Sequence, residues 1–231
     1  MNDILATTTH RRKFLGGLTL GGAALALPAC STLGGFSFVD AIQRLLFLSS
    51  ERAFARMLED DGFWDQQVAQ VGLESLLGAR GGVLSTILTS TLFKDRLADA
   101  FGDIAYEGAE RAAPIVADTV RVIGIQNAVD LVRGGPTAAT AFLRSEMGTR
   151  LIDAMVPELG TAMRVAQDPL VGQALAALTG VNIPQVATRV ANRIDDTIWN
   201  EIGFEEAAIR RDPRSTRDPL IIGVFGGANA F

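Results

Sequence analysis

The spacing of apolar residues predicts a protein built almost entirely of α-helices. After residue 36, apolar side chains recur with a period near 3.6 residues, which is typical of amphipathic helices, and no convincing alternating stretch marks a β-strand. Glycine and proline interrupt the pattern often. Because these residues end or bend helices, we predict an all-α fold, an irregular multi-helix bundle that forms a single domain.

The first predicted helix begins at Ser37 and runs to Glu59. Asp40, three residues after Ser37, completes an arrangement similar to a capping box. Gly62 predicts the end of this helix, because glycine accepts the left-handed conformation that closes many helices.

Further helices are predicted between the glycine and proline breaks. They follow a glycine-rich break at residues 78–82 and lie at residues 83–112, 114–123, 125–133, 136–147, 151–166 and 169–180. The first of these is predicted to be interrupted near Lys94 or Gly102. Pro114 marks a helix boundary, and Pro157 is predicted to kink or split its helix, because proline cannot donate a backbone hydrogen bond.

A long final helix is the most regular element of the pattern. It is predicted to begin at Asn182, with Pro184 in its first turn, and to end at Asp212 before Pro213. Its buried face is predicted to contain Val186, Val190, Ile194, Ile198 and Ile202. A segment at residues 220–225 follows and is predicted to dock on the core.

The beginning of the chain has the order of an export signal. Arg11-Arg12 opens a basic stretch that resembles the twin-arginine signal, and a glycine-containing apolar segment follows at residues 14–29. The residues before Cys30 resemble the lipobox of bacterial lipoproteins. An uncleaved anchor is the alternative, but the apolar segment is shorter than the roughly 20 residues that span a bilayer.

These signals predict the organisation and the location of the protein. We expect a signal peptide at residues 1–29, a lipidated tether at 30–35 and a helical domain at 36–231. Lipid on Cys30 would hold the protein on the periplasmic side of a bacterial membrane, and Ser31 favours the outer membrane over the inner one. The route, twin-arginine or general secretion, stays open.

The charge of the chain argues against a nucleic-acid partner. Lysine and arginine number 21 and aspartate and glutamate 26, which gives a net charge of −5. The predicted leader is itself basic, so the remainder is more acidic still. Binding to phosphates needs clustered cations, so we expect no nucleic acid to bind.

The absence of histidine and free cysteine after the leader excludes several kinds of chemistry. His10 is the only histidine, and Cys30 is the only cysteine. The helical domain therefore lacks the residues for Ser-His-Asp or Cys-His catalysis, structural zinc, iron–sulfur clusters and disulfides. We predict no cofactor and no metal site.

Short motifs occur in an order that is similar to a known family. They include Asp61-Gly62-Phe63, Glu110-Arg111-Ala112-Ala113-Pro114, Gly134-Gly135-Pro136-Thr137-Ala138, Glu205-Glu206, Asp212-Pro213-Arg214 and Val224-Phe225-Gly226. Over residues 36–226 this order resembles the domain of unknown function 4197 (DUF4197) family of exported and lipid-anchored bacterial proteins. The resemblance implies a helical fold, and it implies no assigned activity.

Polar residues on two predicted helices and just beyond the second are the candidates for a site. Thr140 and Arg144 are one turn apart and share a helix face. They are considered together with Glu205, Glu206, Arg210 and Arg214. The six residues form either a structural ion-pair network or a ligand-binding pocket, and both interpretations stay open.

The adjacent carboxylates are not expected to form an acid–base pair. Neighbours on a helix point about 100° apart, so Asp195-Asp196 and Glu205-Glu206 are interpreted, like Asp60-Asp61, as solvated faces or caps.

Phe63 and Trp64 are predicted to lie in a loop after Gly62. They either contact a partner or pack back on their own bundle.

These observations favour a non-catalytic helical module that binds a ligand or a partner in the bacterial envelope. The ligand would be apolar or amphipathic, and the partner another envelope protein. One alternative is a carboxylate-dependent enzyme, for example acting on glycans, with two carboxyl groups across a cleft. The other is a structural spacer.

Overall fold

The computed structural model describes residues 32–33, 36–59, 62–72, 75, 91–165 and 183–227. The helices in this part of the chain are α1 (Phe38–Met57), α2 (Phe63–Val71), α3 (Thr91–Val122), α4 (Ala128–Arg133), α5 (Ala138–Met147), α6 (Arg150–Val165), α7 (Ile183–Arg211) and α8 (Pro219–Phe225). A 3-10 helix, Pro213–Thr216, precedes α8. The predicted all-α, single-domain fold is confirmed.

One very short strand pair lies at the start of the described chain. β1 (Thr32–Leu33) pairs antiparallel with β2 (Phe36–Ser37), directly before α1. β1 falls within the segment that the sequence predicts as a tether.

Helix α7 is the centre of the bundle. It contacts α6 and α1 most extensively, and it also packs on α3 and α5. The predicted stripe from Val186 to Ile202 is confirmed, since each of its members is at most 3% exposed. Ile209 continues this stripe, and the predicted docking segment is the short helix α8, which buries Ile221 and Phe225.

The start of α1 is confirmed, but its end and the following loop are not. The Ser37 hydroxyl accepts a hydrogen bond from the backbone N–H of Asp40 at 3.3 Å. Gly62, with φ of 75°, precedes the first residue of α2 instead of closing α1. Phe63 and Trp64 therefore begin a helix and do not lie in a loop. Trp64 and Val68 are one turn apart, so the helix allows both side chains to be buried on one face.

Helix α3 is continuous where the sequence predicts breaks. It passes through Gly102 and Pro114, and α6 likewise passes through Pro157 without splitting. Both prolines are exposed, so water can solvate the carbonyl that each leaves without a donor. At Gly102, an added Cβ would collide with the carboxylate of Asp65, so this glycine leaves room for that side chain of α2.

The remaining boundaries differ by a few residues or cannot be compared. α4 and α5 begin later than predicted, at Ala128 and Ala138. The predictions that lie outside the described residues are the break at 78–82, the helix at 169–180, the Asp60-Asp61 pair, Asn182, and the leader with Arg11, Arg12 and Cys30.

Candidate functional site

The best-defined polar cluster is centred on Glu206, the least exposed charged residue of the described core. Glu206 is 0% exposed and lies on the face of α7 that meets α5. Arg210, one helical turn further on, donates from Nε to its carboxylate at 2.7 Å. Burying a carboxylate costs free energy unless the group is paired with a cation and hydrogen-bonded. The ion pair with Arg210 offsets part of this cost.

Glu206 also closes the beginning of α5. Its two carboxylate oxygens accept hydrogen bonds from the backbone N–H groups of Ala139 at 3.0 Å and Thr140 at 2.6 Å. The Thr140 hydroxyl donates a further bond at 2.6 Å. The first N–H groups of a helix have no partner within that helix, so Glu206 satisfies donors that would otherwise be buried without an acceptor.

Arg210 caps the C-terminal end of α4, as a donor and not as an acceptor. Its guanidinium donates to the carbonyl oxygens of Leu131 at 2.8 Å and Val132 at 3.0 Å. It also lies 4.9 Å from the centre of the Phe225 ring in α8. The Glu206–Arg210 pair thus joins α7 to the two helices that flank the Gly134-Gly135-Pro136 connection.

A large cavity lies beside this connection, and we call it the arginine cavity. Its volume is about 800 Å³, and it is bounded by the α4–α5 connection, the end of α7, α8 and the start of α1. Its apolar walls are formed by Phe38, Val132, Pro136, Ala207, Val224 and Phe225.

The charged residues that line the arginine cavity are all positive within the described structure. Arg133, Arg210 and Arg211 all line it. No aspartate or glutamate lines it among the residues that the structure describes. The guanidinium of Arg210 is bonded to Glu206 and to the last carbonyl oxygens of α4. The side chains of Arg133 and Arg211 are instead exposed to solvent.

Helix α8, one wall of this cavity, is fastened by Asp218. The Asp218 carboxylate accepts from the backbone N–H groups of Leu220 at 2.9 Å and Ile221 at 3.2 Å, and from Arg44 Nε at 2.7 Å. Burial alone would raise the pKa of Asp218, but Arg44 and the two N–H groups together hold it below its ordinary value of 3.8.

The other predicted site residues lie in separate contacts. Arg144 donates to Asp195 at 3.1 Å and Asp196 at 2.6 Å. Glu205 pairs with Arg56 at 3.1 Å. The six residues therefore do not form one network.

Arg214 belongs to none of these clusters. It lies exposed in the 3-10 helix, and in the described structure no side-chain hydrogen bond or ion pair links it to the other five residues.

Two of the predicted solvated carboxylates are buried. Asp195 is 4% exposed and accepts a hydrogen bond from Trp199 Nε1 at 2.9 Å, and Glu206 is fully enclosed. Burial raises the pKa of Asp195, against the opposing bonds from Trp199 and Arg144. Neither is a solvated face, because both meet the neighbouring helix α5. The prediction is wrong for Asp195, whereas Glu206 does act as a cap, at the start of α5.

A second cavity, which we call the acidic cavity, lies where α2 crosses α3. It has a volume of about 430 Å³, and Glu59, Asp65, Asp103 and Tyr106 are among the residues that line it. Partial burial, then the charges of Asp99 and Asp103, raise the pKa of Asp65.

Phe63 and Trp64 also line the acidic cavity, and their rings meet edge to face at 5.2 Å. Trp64 is only 5% exposed and packs on its own bundle. Phe63 is half-buried.

Within the described ranges, no group of three or more histidine, cysteine, aspartate or glutamate side chains is placed to hold a metal ion. None of the described helices is long and apolar enough to cross a membrane.

The fold and the cavities define an all-helical protein with a cationic, apolar-walled pocket. The chain belongs to the family described as protein of unknown function (DUF4197), whose family model matches residues 32–226. The resemblance seen in the sequence motifs is thereby confirmed. No curated protein and no solved structure matches the chain.

Proposed function

We propose that this protein is an exported lipoprotein that binds an apolar or amphipathic ligand, without catalysis, in the arginine cavity. The observation that carries the proposal is the cavity itself. Its volume of about 800 Å³ and its mainly apolar walls are those of small-molecule sites. Its frame is held by the bonds of Glu206 and Arg210 to helix ends, so the site is formed before a ligand arrives and little ordering is needed on binding.

The location of the protein is part of the same proposal. Lipid on Cys30 holds the chain on the periplasmic side of the bacterial envelope, with the outer membrane favoured by Ser31. Support comes from the order of Arg11-Arg12, the apolar segment and Cys30. The acyl chains supply the attachment, because an acidic chain is not drawn to anionic lipid head groups.

Fractionation of cells tests the anchor and the route. Cys30→Ser should move the protein from the membrane fraction to the soluble periplasmic fraction and remove the acyl mass. Replacing both Arg11 and Arg12 by lysine should keep it in the cytoplasm if export uses the twin-arginine route, and general secretion should tolerate the change. A Cys30→Ser protein that stays in the membrane with unchanged mass would contradict lipidation.

Native mass spectrometry tests ligand binding. Protein isolated gently from a bacterial envelope should carry an extra mass that denaturation releases. Ala207→Phe fills the cavity from α7 and should abolish this mass, whereas Ala141→Phe, on the exposed face of α5, should retain it. If the wild-type protein is bare, crosslinking in cells would test the remaining options, an envelope protein partner or a spacer.

A second candidate function is hydrolysis of envelope glycans in the acidic cavity. The specific observation is that the carboxyl groups of Asp65 and Asp103 line one cavity and that the pKa of Asp65 is raised, which is the direction that a general acid needs. Asp65→Asn and Asp103→Asn should then each abolish the release of fragments from purified envelope glycan, and Asp130→Asn should not. Unchanged fragment release in all three variants would remove this candidate.

A further inference from the structure

Two arginines of the arginine cavity, Arg133 and Arg211, form no ion pair within the described residues. Arg133 is the last residue of α4, and Arg211 is the last residue of α7. Both are exposed, and within the described residues neither has an ion-pair partner. The guanidinium of Arg210 differs, because Glu206 and two carbonyl oxygens already occupy its donors.

This arrangement is unusual for a chain of this composition. The protein has a net charge of −5, yet the described lining of the arginine cavity contains arginine and no carboxylate. Guanidinium groups pair well with carboxylate and phosphate oxygens, since their planar donors can bind two oxygens at once. The charged residues of the cavity therefore favour an anion.

The rest of the cavity favours an apolar chain. Phe38 lies at the start of α1, Phe225 is buried in α8, and Val132 and Val224 add aliphatic surface to the same cavity. An apolar chain would gain free energy by leaving water for these walls. An ion without such a chain would leave the walls unused.

We propose that the arginine cavity selects an amphiphile with an anionic head group. The head group, a carboxylate or a phosphate, pairs with Arg133 and Arg211, and the chain packs against the apolar walls beside Phe38 and Phe225. This inference rests on the proposed ligand-binding function and specifies the class of its ligand.

Photolabelling of the full chain tests the inference. The protein is reconstituted in phosphatidylcholine vesicles and irradiated with hexadecanoate that carries a photoreactive diazirine on its chain, and the labelled peptides are then identified. Unlabelled hexadecanoate, hexadecyl phosphate and hexadecanol serve as competitors. We expect saturable labelling of the cavity residues, with either anion competing at a concentration about tenfold lower than the neutral alcohol.

Charge variants provide the second readout. Arg133→Gln combined with Arg211→Gln should lower the labelling about tenfold. Arg96→Gln combined with Arg150→Gln, two exposed arginines outside the cavity, removes the same charge and should leave the labelling unchanged.

The possible outcomes distinguish the proposal that the ligand is anionic from the proposal that the cavity binds a ligand at all. If hexadecanol competes as well as the anions and the Arg133/Arg211 variant labels normally, the anionic ligand class is overturned while ligand binding stands. If the wild-type cavity shows no saturable labelling, both proposals fail. The better competitor of the two anions separates a free carboxylate from a phosphate head group as the source.

Discussion

The carboxylate of Glu206 and the guanidinium of Arg210 lie 2.7 Å apart on α7, and each closes the end of a different helix. Glu206 accepts from the first N–H groups of α5, and Arg210 donates to the last carbonyl oxygens of α4. A negative group thus meets the positive end of one helix dipole and a positive group meets the negative end of another. This double contact orients the connection that borders the arginine cavity.

Removing the charge of Glu206 should destabilise the protein strongly. In Glu206→Gln, Arg210 keeps a charge whose side chain is only 10% exposed but loses its counter-ion. Breaking a buried pair in this way typically costs about 3–5 kcal/mol, so we expect a loss of about 3 kcal/mol in the free energy of unfolding. Urea denaturation followed by circular dichroism measures the loss.

The neighbouring glutamate provides the control. Glu205 pairs with Arg56, whose side chain is 35% exposed, so Glu205→Gln should cost about 1 kcal/mol or less. Equal losses in the two variants would show that burial of the Glu206–Arg210 pair has no special effect.

The spacing of Glu206 and Arg210 could be predicted from the sequence, and so could the burial of the α7 stripe. Both follow from residues three or four apart on one helix, which is local information. Which helix lies opposite each side chain is not local. Arg144 shares a face with Thr140, yet it meets Asp195 and Asp196, because α5 crosses α7 at an angle that no sequence spacing encodes.

The arginine cavity itself had only a weak signal in the sequence. Arg133 stands directly before the Gly134-Gly135 break, and Arg210-Arg211 ends the longest regular helical pattern. Arginine near a helix end is ordinary, since the terminal carbonyls favour cations. Their meeting at one cavity depends on the approach of α4 to the end of α7, where Arg210 donates to Leu131 and Val132, and local patterns do not specify this tertiary feature.

The N-terminal cap of α8 should contribute measurably to stability. Asp218→Ala removes the acceptor for two backbone N–H groups and the partner of Arg44, and we expect a loss of about 1–2 kcal/mol. Asp218→Asn keeps an acceptor for the helix and loses mainly the ion pair. Since Arg44 is 44% exposed, that change should cost less than about 1 kcal/mol, as measured by thermal and urea unfolding.

Asp218 should stabilise the folded protein less in acid than at neutral pH. The pKa of its folded state is below the ordinary value of 3.8, so its stabilisation is fully present above about pH 4 and is lost as the pH falls through the folded pKa. The stability difference between the wild-type protein and Asp218→Ala should therefore narrow in acid. A difference that stays constant down to about pH 2 would contradict the assignment.

Asp195 should produce the opposite pH dependence. Burial raises its folded-state pKa, so between 3.8 and that raised value the folded protein holds a proton that the unfolded chain has released. Relative to Asp195→Asn, the wild-type protein should gain stability as the pH falls through this window, by about 1.4 kcal/mol for each unit of pKa difference.

Urea denaturation at a series of pH values between about 7 and 4 measures this effect of Asp195. Asp130→Asn, the change of an exposed carboxylate on α4, supplies the baseline for both proteins. A wild-type advantage that does not grow in acid would show that the Asp195 carboxylate is not penalised by its burial.

The connection between α5 and α6 should depend on glycine at position 148. Gly148 has φ of 55° and ψ of −123°, a conformation that residues with a Cβ rarely adopt, and it has no neighbour that an added Cβ would touch. Gly148→Ala should therefore cost about 1–3 kcal/mol through backbone strain alone. Gly124→Ala also places its Cβ in open space, but without a positive φ, so it should be neutral or slightly stabilising. Urea denaturation of the two variants measures the difference, and equal unfolding free energies would contradict the left-handed geometry at Gly148.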